Sequence, residues 1–115
     1  MRYQEILRRL AIIDDRCVED QAGLSLDLGA GRDLDAKTAA LVRVAALAAI
    51  GSPEVCLEWS ATRALAAGAT EDEVTGVLLA IAPVAGLGRV VSAVPGVAVA
   101  FGYDIETALE GRDGH

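Results

Sequence analysis

The segment EVCLEWSATR, residues 54–63, carries four side chains that could act on a small molecule. Cys56 is a thiol near the start of an expected helix, where the positive end of the macrodipole favours the thiolate, the nucleophilic and oxidisable form. Glu54 and Glu58 beside it push the other way. Ser60 follows one turn later, so its hydroxyl can reach the same pocket and bind a polar substrate atom, or it can bond back to the preceding turn. Trp59 and Arg63 are also one turn apart. That spacing lets the guanidinium stack on the indole and clamp a carboxylate, although pairing with an acid is the commoner fate of such an arginine. Glu58 could serve as a general base if desolvated, but on a solvated helix face it would not. For Cys56, as for Cys17, the alternative is a small apolar core side chain.

Other chemistry is limited by composition. The single histidine, His115, is the last residue, so Ser-His-Asp and Cys-His catalysis and the usual histidine metal sites are not expected. No glycine-rich phosphate loop follows a strand, and no cofactor is implied. Arg43 and Arg89 lie in mostly apolar stretches, so each needs a partner, a wet cavity or a subunit interface.

The elements that must position these residues centre on two helices joined at Gly68. Ser52 is read as the N-cap and Pro53 as the first helical residue of a helix ending at about Ala67, with Gly68 in the left-handed conformation beyond it. Val55, Cys56, Trp59, Thr62, Arg63 and Ala66 recur at helical spacing and are expected to share one face, with Glu54, Glu58 and Ala61 elsewhere. Thr70-Glu71-Asp72-Glu73 is a capping box opening a second helix that runs to about Pro83. Val74, Val77, Leu78, Leu79, Ile81 and Ala82 cover several of its sides, which predicts burial nearly all round. Residues 2–20 read as an amphipathic helix with Ile6, Leu7, Leu10, Ile13 and Cys17 on its apolar side, and residues 21–32 as a glycine-containing loop. Asp35 caps a helix to Ile50 in which Leu41, Val42, Ala45, Leu47, Ala48 and Ala49 are mostly core. Gly86 and Gly88 form a joint, and residues 89–102 form an apolar helix that Pro95 should break near Val94. Asp104 caps a last helix to about Glu110, and residues 112–115 are tail.

This arrangement, with the segments LDAKTAALVRVAALAAIG, GATEDEVTGVLLA and GYDIETALE, resembles the carboxymuconolactone decarboxylase and alkyl hydroperoxidase D-like superfamily over roughly residues 30–110. The resemblance implies an all-α, single-domain helical bundle of about six helices, assembled as a homo-oligomer, with a trimer or hexamer expected. It also implies a peroxidase-like oxidoreductase (peroxiredoxin activity) or a decarboxylase, with Cys56 as catalytic thiol and Trp59, Ser60 and Arg63 around the substrate. The chain departs from the family's Cys-x-x-Cys-x-x-x-His signature. Anchored on Gly68, the second cysteine falls at Cys56, but the first falls at Pro53, the histidine at Ser60 and an upstream acid at Leu41. A non-catalytic homo-oligomer that binds a small molecule or serves as an assembly module is therefore the alternative.

Length and charge set the remaining bounds. The 115 residues are read as one domain, and 53% hydrophobic content is more apolar surface than one small core can cover, which again predicts a homo-oligomer. A net charge of −7 with scattered basic residues argues against nucleic acid and anionic membranes. The charged N-terminus is unlike a secretory signal, so a cytoplasmic protein is expected. The apolar stretch 74–102 is interrupted by Pro83, Gly86, Gly88, Arg89, Pro95 and Gly96, leaving no run of the ~20 residues a membrane span requires.

Overall fold

The computed structural model describes residues 3–12 and 34–113, and every regular element among them is an α-helix. In chain order these are α1 (Tyr3–Ala11), α2 (Ala36–Ile50), α3 (Glu54–Ala66), α4 (Glu71–Ala85), α5 (Leu87–Phe101) and α6 (Ile105–Asp113). The all-α expectation holds for the described residues. Cys17, the expected loop at 21–32, the later part of the expected N-terminal helix and His115 lie outside them. No described helix is long and apolar enough to cross a membrane. The chain divides into two compact units, one ending at Ala39 and the other beginning at Ala40, so the division falls inside α2.

In the first unit, α1 places Tyr3, Leu7 and Leu10 at helical spacing on one side, all of them exposed, while Arg8 pairs with Glu5 on the surface. The start of α2 is fixed by Asp35, whose Oδ1 accepts the Thr38 N–H at 2.7 Å.

In the second unit, glycine ends three helices in the same way. At the end of α2, Ser52 N–H donates to Leu47 O and Gly51 N–H to Ala48 O, with Gly51 at φ 74°, a left-handed conformation only glycine adopts readily. Gly68 closes α3 and Gly102 closes α5 by the same pair of bonds, to Ala64 and Leu65 and to Ala98 and Val99. This corrects the expected start of α3. Ser52 belongs to the end of α2 through its N–H, and Pro53 is the residue before α3, with no side-chain cap. The α4 capping box forms as expected: Glu73 N–H donates to Thr70 Oγ1 at 3.0 Å and Thr70 N–H to Glu73 Oε1 at 2.9 Å. The helix continues through Pro83 to Ala85 and stops at Gly86, because a proline in the last turn disturbs only the carbonyl one turn back.

The core of this unit joins Val44 and Ala48 of α2, Leu57, Ala61 and Ala64 of α3, Val74 and Leu78 of α4, and Val90, Ala93 and Val97 of α5. The packing of α5 on α3 is the most extensive among the described helices, and Gly96 makes it possible. A Cβ at Gly96 would lie 2.5 Å from Glu54 O and 2.9 Å from Leu57 Cβ, so nothing larger than hydrogen fits between the helices there.

Val55, Trp59, Thr62, Arg63 and Ala66 share one face of α3, as expected, and that face is turned outward, with Cys56 half-buried; the inward side is Leu57, Ser60, Ala61 and Ala64. The expected break at Val94 is absent, and α5 runs unbroken through Pro95. Its exposed proline loses the bond to Val91, but Val90, Ala93 and Val97 on the opposite side are pinned in the core and keep the axis continuous. Two further expectations change: α4 buries one face rather than its whole girth, leaving Leu79 and Val84 exposed, and Val42 of α2 is exposed rather than core. Arg89 finds its partner in the backbone, where its Nη1 donates to Ile50 O at 3.0 Å and caps the negative end of α2 from α5.

Candidate functional site

The sequence singles out Cys56, Trp59, Ser60 and Arg63 on α3, and the helix distributes them over different sides. Cys56, in the first turn, is a free, half-buried thiol. Ser60 is in the core, 3% exposed, and its hydroxyl donates to Leu57 O at 3.2 Å within its own helix. Trp59 and Arg63 face outward together. The Arg63 guanidinium lies over the indole, 5.3 Å from the ring centroid. The structure thus joins Trp59 with Arg63 and separates both from Ser60 by turning the serine inward.

Two clefts lie elsewhere in the same unit. One, of about 430 Å³, runs between the start of α3, the middle of α5 and the start of α6, and is lined by Glu54, Pro95, Ala98, Val99, Tyr103, Asp104, Ile105 and Glu106. The other, of about 220 Å³, opens between α4 and α5 under the turn into α6 and is lined by Thr75, Leu78, Val94, Val97, Ala98, Phe101, Tyr103 and Ile105. Neither is lined by Cys56, Trp59, Ser60 or Arg63. Their shared wall is set by Asp104, which caps α6: its Oδ1 accepts the Thr107 N–H at 3.0 Å and its Oδ2 the Thr107 hydroxyl at 2.7 Å. These bonds hold the Asp104 carboxyl below the ordinary carboxylate range. Asp35 is lowered in the same way by the Thr38 N–H. Among the described residues no group of His, Cys, Asp and Glu is placed to hold a metal ion, and no buried side-chain polar atom lacks a hydrogen bond.

A model of the carboxymuconolactone decarboxylase family matches residues 20–98. The chain belongs to this family. No curated protein and no solved structure matches it. In this family member the position resembling the signature's first cysteine is Pro53, which precedes α3; the one resembling its upstream acid is Leu41, half-buried against the core; and the one resembling its histidine is the buried Ser60.

Sequence reasoning missed the two clefts and Gly96. The clefts depend on where the turn after Gly102 places the start of α6, which no local pattern encodes. The helix contact had a signal: Ala93, Gly96, Val97 and Ala100 place small residues three and four apart on one side of α5, the spacing that lets two helices approach closely.

Proposed function

We propose that this chain is a homo-oligomeric, small-molecule-binding member of the carboxymuconolactone decarboxylase family that does not run the peroxidase relay. Ser60 carries the reading. The relay requires a proton-transferring ring at that position, and the side chain present is a core hydroxyl whose proton is already donated to Leu57 O. Assembly is supported by apolar side chains left in water on the second unit, with Val84 91% and Leu87 70% exposed. The test is peroxide consumption in the presence of a thiol reductant, native chain against Cys56→Ala. Equal and negligible rates are expected, and a native rate clearly above the variant's would overturn the non-catalytic reading.

A second reading is favoured by one observation, the free and half-buried thiol in the first turn of α3. Under it Cys56 is the nucleophile or redox thiol and Arg63, held over Trp59, clamps the carboxylate of a small substrate. Peroxide would then oxidise the thiolate to a sulfenic acid, to be reduced by an external thiol. Trapping of a sulfenate at Cys56 by a selective reagent, matched by turnover, is the outcome this reading requires. The family's decarboxylase activity would instead appear as carbon dioxide release that survives Cys56→Ala.

A further inference from the structure

Charge is distributed unevenly along this chain. It carries 17 acidic residues, and none of them lies between Val74 and Tyr103, the stretch that holds most of α4 and all of α5. Arg89 is the one charged residue there. Leu79, Ala80, Pro83 and Val84 share one side of the second half of α4 and are exposed, and Leu87, just beyond the turn at Gly86, is exposed as well. Charges bound this apolar patch at both ends. Glu71 and Asp72, in the first turn of α4, have no ion-pair partner among the described residues. Arg89, four residues past the end of α4, gives Nη1 to Ile50 O, and its other donors make no hydrogen bond among the described residues. We propose that this side of α4 is a twofold interface between two copies of this chain, with the two helices antiparallel and crossing near Ala80.

Charge selects both the partner and the direction. Two copies that each carry −7 repel one another, and on this side they meet without setting carboxylate against carboxylate. A twofold axis brings the patch onto itself, so Leu79 of one copy lies beside Ala80 of the other, and the exposed apolar side chains leave water together. The antiparallel direction then sets the acidic start of each α4 against the Arg89 end of the other, twice over. A parallel pair would place acid on acid and arginine on arginine. The interface rests on the homo-oligomeric reading and adds to it the face and the symmetry, which requires an even number of copies.

The test combines light scattering with disulfide mapping on the full chain. The native mass should be an even multiple of 11.9 kDa, and Leu79→Lys with Ala80→Lys should halve it while the helical circular dichroism stays native. In a chain whose Cys17 and Cys56 are replaced by serine, Ala80→Cys should link two copies on mild oxidation. Asp72→Cys in the same background should not, because the antiparallel arrangement holds the two starts about 20 Å apart. An odd multiple, a native mass retained by the double lysine variant, no link through Ala80→Cys, or a link through Asp72→Cys would each overturn this interface while sparing the assembly. A native mass of 11.9 kDa would remove both.

Discussion

At residue 60 the fold has closed around the side chain. A serine suits the core here because its hydroxyl is small and satisfied by Leu57 O, and its neighbours Leu57, Ala61 and Ala64 are buried with it. Rebuilding the family's histidine by Ser60→His therefore forces a ring into a packed contact. We expect a loss of about 1–3 kcal/mol in urea unfolding and no gain of peroxidase activity. Ser60→Ala, which removes only a hydroxyl bonded within its own helix, should change stability by less than about 1 kcal/mol. A large effect of the alanine would mean that the hydroxyl serves something other than its own helix. Trp59 and Arg63 differ, because they face water together and their stack costs the core nothing. Arg63→Ala should shift Trp59 fluorescence while leaving the unfolding midpoint nearly unchanged.

At the level of the helices, glycine acts in opposite senses at two positions. Gly76 lies inside α4 with nothing near the place of a Cβ, so Gly76→Ala should stabilise the chain by about 0.5–1 kcal/mol through helix propensity. Gly96 lies inside α5 against the α3 backbone, and Gly96→Ala should destabilise by about 1–3 kcal/mol despite the same gain in propensity. Finding both variants stabilised would refute the close contact of α3 and α5. The capping box at Thr70 should lose about 1 kcal/mol on Thr70→Ala. The aspartate caps add a pH dependence. Asp35 and Asp104 are held below the ordinary carboxylate range when folded, so their contribution is complete above that range and is lost as pH falls through their lowered folded-state values. Thermal melts from pH 5 downward should show this loss, and Asp104→Asn, which still caps but cannot titrate, should flatten part of it.

At the scale of the whole molecule, exposed apolar side chains are the dominant unexplained feature of the second unit. Ile50, Val55, Leu79, Val84, Leu87 and Val91 are all more than half exposed. On a monomer, replacing two of them by lysine is nearly neutral, because exposed positions contribute little to stability. On a homo-oligomer the same change places charge in an interface. Light scattering after size exclusion should therefore give a native mass that is a multiple of 11.9 kDa, and Val84→Lys with Leu87→Lys should move it toward the single-chain value with the helical signal retained. A native chain running at 11.9 kDa would rule out the assembly.

The sequence by itself determined what is local. The Thr70-to-Glu73 box, the aspartates at 35 and 104, and the glycines at 68 and 86 each fix a helix boundary through bonds that span five residues or fewer, so they were legible without a fold. The resemblance to the family, too, was carried by the residues themselves, in three segments between about 30 and 110. Which side of each helix faces inward was decided only by tertiary packing. Leu79 and Val42 read as core by hydrophobicity, yet both are exposed, and on α3 it is Leu57, Ser60, Ala61 and Ala64 that turn inward. Pro95 read as a break, and the buried side of α5 overrode it. The clefts around Tyr103 had no local signature, because each brings together residues far apart in the chain, 54 with 98 and 105 in one and 78 with 98 and 105 in the other.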